Sequence, residues 1–184
     1  TNVGTGLRAS VMLHLPALAM TGRINRLVRS IVQLGYSVRG LYGEGSEALG
    51  HIYQVSNQRT MGISEADTIE QLTKIVEGII AEERKCRQTL VHNDKDGLED
   101  HLWRSYGILR YARSISGQES LEKLSDIQLG VDLNILPAWS NYSFNELVAI
   151  TRPNFLLKYM GKEEIVLFNT IEKEKFLEHL IFIW

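Results

Sequence analysis

Acidic residues are missing from the first 43 positions of this 184-residue chain, although the whole sequence carries 22 Asp and Glu against 20 Lys and Arg. Five arginines stand in that stretch, Arg8, Arg23, Arg26, Arg29 and Arg39, so the net charge of −2 hides a positive beginning and an acidic remainder. Cysteine is almost as scarce. Cys86 alone excludes an internal disulfide and a cysteine-based metal cage, and it fits a reducing compartment, with the cytoplasm as the expected address. No apolar run approaches the roughly 20 residues that span a bilayer, and no charged flank, apolar core and small-residue cleavage site mark a signal peptide. Internal repeats and low-complexity tracts are absent. The chain opens on Thr1 without an initiating Met, which leads us to expect a piece of something longer.

What is present begins with the first carboxylate. Glu44 arrives inside Val38-Arg39-Gly40-Leu41-Tyr42-Gly43-Glu44-Gly45, which gathers a guanidinium and a lone carboxylate on glycine-hinged backbone able to approach a polyphosphate closely. That combination points to phosphoryl transfer.

Residues 8–15 read as a strand ended by Pro16. Leu18, Ile24, Leu27, Val28, Ile31 and Leu34 recur at helical spacing, which predicts one helix over 17–34 with Gly35 as its stop. Residues 36–39 and 50–55 read as strands joined by the glycine-rich loop. From Ser64 the pattern turns helical: Ser64 with Asp67 resembles a capping box, a helix is expected to about His92, the polar break 93–97 ends it, and a second helix fits 98–113. Ser116 with Glu119 and Ser143 with Glu146 mark two more helix starts. A short α/β segment followed by helices indicates an α+β fold. We expect two domains, 1–90 and 91–184.

Gly4-Thr5-Gly6-Leu7-Arg8-Ala9 matches the loose fingerprint of a dinucleotide-binding turn, but that turn needs a strand before it and a helix opening within it. Here a strand follows, so the dinucleotide reading is rejected. With its neighbours, Asn2-Val3-Gly4-Thr5-Gly6-Leu7-Arg8-Ala9-Ser10-Val11 instead resembles the phosphate-binding segment of the guanidino kinases, the creatine and arginine kinase superfamily. Val38 to Glu47 resembles that superfamily's mobile loop. The bacterial branch that phosphorylates protein arginine is more similar still, through Arg8 to Met12, Glu44-Gly45-Ser46-Glu47, Tyr53-Gln54-Val55-Ser56-Asn57-Gln58, Arg104 to Leu109, Leu124-Ser125-Asp126 and Leu129 to Leu133. Met12 stands where creatine-type kinases usually have histidine, as it does in the bacterial branch. The resemblance covers roughly residues 1–160.

This resemblance implies the C-terminal part of a guanidino-kinase catalytic domain, glutamine-synthetase-like with antiparallel strands and flanking helices, followed by a helical region. It implies that Arg8, Ala9, Ser10, Val11 and Met12, with Arg39, Gly40, Leu41, Tyr42, Gly43 and Glu44, bind ATP and its Mg2+. Arg8 and Arg39 would clamp phosphate, and Glu44 would orient the acceptor guanidinium. Planar, permanently charged guanidinium groups suit the charge spread over the equatorial oxygens of a loose transition state. Implied partners are protein substrates with exposed arginine, an activator protein, chaperone-linked protease components and a second copy of the chain. Because the family's active-site cysteine and further phosphate-binding arginines would precede Thr1, the isolated chain is expected to be inactive or nearly so. A non-catalytic dimerisation or adaptor-binding module and a kinase of small guanidino compounds are the alternatives.

Other features read more plainly. Arg23, Arg26 and Arg29 form a solvated helix face rather than a nucleic-acid stripe, since no aromatic residues interleave with them. Cys86 falls beside the apolar stripe of Ile79 and Leu90 and reads as packed. His14, His51, His92, His101 and His179 show no metal-ligand spacing, so magnesium would arrive with the nucleotide. The branch's Arg-Asp-x-x-Arg-Ala motif, which binds phosphoarginine, has no counterpart in Leu167 to Glu174, so that function is not transferred. Residues 161–184 diverge and end on the apolar Leu180 to Trp184.

Overall fold

A computed structural model describes residues 7–40, 48–59, 61–138 and 143–151. The chain divides into two compact units, Thr1–Asp94 and Lys95–Trp184.

In the first unit three extended runs pair into one antiparallel sheet: β1 (Ser10–His14), β2 (Tyr36–Gly40) and β3 (Ile52–Asn57), in the order β1-β3-β2. Register follows from alternation. Val11 pairs with Val55 and Val55 with Val38, so one face is apolar, while Ser10, Ser56 and Ser37 fall in one row of the other. The apolar face packs with Leu18, Ile31, Leu72, Ile79 and Cys86. Each fully buried Leu, Ile or Val stabilises this arrangement by about 1.5–3 kcal/mol. Cys86 is inaccessible, so it is part of the core.

The single helix expected over 17–34 is two: α1 (Pro16–Met20) and α2 (Ile24–Gln33). Gly22 is the reason. Its φ of +68° takes the chain into the left-handed region, where glycine is free of the Cβ clash, and the Gly22 and Arg23 amides donate to the Ala19 and Leu18 carbonyls. The Thr21 hydroxyl donates to the Ala17 carbonyl at 2.7 Å and draws off the last turn. Gly35, at φ +85°, ends α2 in the same way.

The long helix α3 (Glu65–Asn93) starts where Ser64 accepts the Asp67 amide. Its Glu83 is 4 % exposed and accepts the Ala17 and Leu18 amides at 3.0 and 2.9 Å, while Arg87 pairs with it at 3.0 Å. A carboxylate 66 positions away thus satisfies free amides at the start of α1.

The second unit contains α4 (Lys95–Tyr111), α5 (Gly117–Asp132) and α6 (Phe144–Ile150). The break before α4 is only Asp94 rather than the five residues expected from polarity. Ser116 caps α5, and Ser143 with Glu146 forms a complete capping box whose hydrogen bonds hold the Glu146 carboxyl below the usual range. Leu98, Leu102 and Leu109 on α4 and Leu121, Leu124, Ile127 and Leu129 on α5 are buried. Between these helices the Ser105 hydroxyl donates to the buried Asp126 carboxylate at 2.6 Å, with His101 at 3.1 Å. An α+β architecture, an antiparallel sheet with two helices between its first two strands and helices alone from residue 65 on, is what the described residues form.

Candidate functional site

The polar face of the sheet carries Ser10, Met12 and Arg39 of the candidate residues that the structure describes. Met12 on β1 pairs with Gln54 on β3, and Gln54 pairs with Arg39 on β2, so these three form one cross-strand row. The next row is Ser10, Ser56 and Ser37. The Ser37 and Ser56 hydroxyls lie 2.6 Å apart, and Ser56 is buried. Arg8 precedes Ser10 by two positions, which keeps it on the same face by strand alternation.

Arg8 lies just before β1, two residues ahead of Ser10, and Arg39 stands on β2 two strands across from Met12. Two cations set apart along and across the sheet in this way suit an extended polyanion. Both arginines are exposed, as are Ser10 and Met12. Ala9 and Val11 point toward the core instead and contribute backbone and packing. Gly40 ends β2. Leu41, Tyr42, Gly43 and Glu44 lie outside the described residues.

His14 closes the same row of β1. Burial, reinforced by the charges of Arg87 and His51, pushes its imidazole from 6.5 down to about 3. It is neutral at physiological pH, so positive charge on this face comes from guanidinium groups. Among the described residues no group of three His, Cys, Asp or Glu is placed to hold a metal ion.

Sequence reasoning missed one residue beside Arg8. Asn57 is 9 % exposed, and its side-chain amide accepts the Ala9 amide at 2.8 Å while donating to the Leu7 carbonyl at 3.1 Å and the Arg59 carbonyl at 3.1 Å. The only sequence signal was its place in the Tyr53–Gln58 block. A shallow depression lined by Tyr36, Asn57, Arg59, Thr68 and Gln71 adjoins this residue and contains none of the expected site residues.

Comparison with known proteins divides the chain at the same place. Residues 1–86 match the C-terminal catalytic domain of the ATP:guanido phosphotransferases, and residues 95–170 match the C-terminal domain of the protein-arginine kinase McsB. The chain is 53 % identical over 161 residues to a protein-arginine kinase of Halalkalibacterium halodurans, covering 88 % of this chain and 45 % of that protein. Protein-arginine kinases of Brevibacillus brevis and Bacillus subtilis are each 51 % identical, over 89 % and 88 % of this chain and 46 % and 44 % of their own lengths. The chain thus spans a little under half the length of the curated relatives it matches.

Proposed function

For a chain that belongs to the ATP:guanido phosphotransferase family, we propose that its polar sheet face is the phosphate-binding half of a site that transfers the γ-phosphoryl group of ATP to arginine side chains of proteins. The observation that carries this reading is the place of Arg39 in one cross-strand row with Met12 and Gln54, with Arg8 just ahead of β1, within the segment that matches the family's catalytic domain.

In the proposed reaction a guanidine nitrogen of the substrate arginine attacks the γ-phosphorus. The bond from that phosphorus to the β,γ-bridging oxygen breaks, ADP leaves, and the attacking nitrogen gives up one proton. Arg8 and Arg39 hold phosphate oxygens through charge-assisted hydrogen bonds and neutralise charge that grows in transfer. The nucleotide enters as MgATP, its cation carried by the phosphates. Residues 8–12 and 39–40 line the nucleotide, and Glu44 orients the acceptor guanidinium so that its nitrogen stands in line with the breaking bond.

The relatives' name supports protein substrates with exposed arginine; we extend the proposal to a homodimer, an activator protein, chaperone-linked protease components and a cytoplasmic address on the sequence resemblance alone. The test is a chimera in which the matching 161 residues of this chain replace their counterpart in the Bacillus subtilis protein-arginine kinase. Phosphoarginine formation by the chimera is expected to fall about a hundredfold or more in Arg8→Ala and Arg39→Ala. Undiminished phosphorylation by both variants would show that the phosphate clamp lies elsewhere.

A further inference from the structure

Beyond the clamp itself, we infer that Asn57 is a positioning residue that aims Arg8 at the phosphates. This inference rests on the reading of Arg8 as a phosphate ligand.

The argument begins with the backbone on either side of Arg8. The peptide plane joining residues 7 and 8 carries the Leu7 carbonyl, and the plane joining residues 8 and 9 carries the Ala9 amide. Because peptide units are planar, the relation between those two planes is set by φ and ψ of Arg8 alone, and it fixes the direction in which the side chain leaves the backbone. One side-chain amide holds both planes: Asn57 Nδ2 donates to the Leu7 carbonyl at 3.1 Å and Asn57 Oδ1 accepts the Ala9 amide at 2.8 Å.

Those bonds stand in for part of the ladder. The Asn57 amide donates to the Ala9 carbonyl at 3.3 Å, which makes residues 9 and 57 a hydrogen-bonded pair in which the return bond goes to the side chain. Nδ2 also donates to the Arg59 carbonyl at 3.1 Å, so the same group turns the chain out of β3 while pinning the approach to β1. Asn57 is buried against water, and competition from solvent for these bonds is weak. Arg8, by contrast, is exposed. A long, flexible cation on a surface otherwise samples many directions, and a fixed Cα–Cβ vector removes part of that freedom before phosphate arrives.

Only a neutral amide does all of this. An aspartate keeps the acceptor for Ala9 but turns its second oxygen on two carbonyls, and a leucine of similar shape keeps none of the bonds.

The experiment is a double-mutant cycle read by calorimetric MgATP affinity in the chimera described above, with near-UV circular dichroism as a check on folding. Asn57→Asp and Asn57→Leu are each expected to weaken MgATP about tenfold. In the Arg8→Ala background the same substitutions are expected to add nothing, because their effect passes through the missing side chain. If Arg8→Ala leaves affinity unchanged, the clamp reading fails and takes this inference with it. If Arg8→Ala weakens binding but the Asn57 variants do not, or their losses add in full, the clamp stands and the positioning role is wrong. Unfolding of both Asn57 variants would make the residue a structural one and overturn the proposal.

Discussion

The two units are held together over very different distances along the chain. In residues 95–151 the side-chain hydrogen bonds mostly join positions three or four apart, as at Ser116 with Glu119 and Ser143 with Glu146, and Ser105 reaches Asp126 across 21. In residues 7–94 some of the bonds around the sheet reach much further, 19 positions from Ser37 to Ser56, 48 from Asn57 to Ala9 and 66 from Glu83 to Ala17. Local bonds specify helices. Distant ones bring Arg8, Met12, Gln54 and Arg39 onto one surface, and the proposed chemistry depends on that surface.

At neutral pH the largest effect expected from this contrast is at Glu83. Glu83→Leu strips the acceptors from the Ala17 and Leu18 amides and leaves Arg87, which is only partly exposed, without this carboxylate. A loss of about 3 kcal/mol is expected. It should appear as faster amide exchange in α1 and β1, and unchanged exchange there would break the claim that a distant carboxylate anchors this unit.

The helical unit offers a smaller counterpart. A Cβ on Gly130 would sit 2.6 Å from Cδ1 of Leu136, which is itself buried. Gly130→Ala is expected to cost about 1–3 kcal/mol by overpacking, measured by denaturant unfolding followed at α5 amides. A neutral result would mean that Leu136 has room to move.

Acid separates the units further. The imidazole of His14 is held down to about 3 in the fold against 6.5 when unfolded, so the unfolded chain binds the extra proton first. Its contribution to stability is complete above pH 6.5 and is lost as pH falls from 6.5 toward about 3. The expected slope is about 1.4 kcal/mol per pH unit in that window. His14→Gln should flatten the profile of residues 7–94, and an identical slope in the variant would contradict the assignment.

The smallest effect is at the end of α5, where Asn134 takes φ +56° while the Asn134 and Ile135 amides donate to the Val131 and Gly130 carbonyls. Asn134→Gly relieves a left-handed non-glycine residue and is expected to change stability by no more than about 1 kcal/mol, whereas Asn134→Val is expected to destabilise. Equal unfolding midpoints for both variants would argue against a local turn in control.

The same contrast explains what could be read in the residues beforehand. Ser64, Ser116 and Ser143 announced their helices because each cap acts on an amide three positions on. The break at Gly22 was hidden by apolar spacing that runs on from Leu18 to Ile24, Leu27 and Ile31 across two helices. Arg8 and Arg39 are proposed as phosphate ligands through resemblance to a family, since no local pattern marks them. Asn57 and Glu83 were not legible, because each acts on backbone 48 or more positions away and nothing nearby in sequence marks the partner.

The central claim is that one sheet face holds phosphate through Arg8 and Arg39. Its most direct test is calorimetric MgATP binding by the chimera with Arg8→Ala, Arg39→Ala and, as a control, Arg26→Ala on the exposed face of α2. Weakening by about tenfold or more in the first two, with the control unchanged, is the expected result. Equal affinity in all three variants and the parent would contradict it.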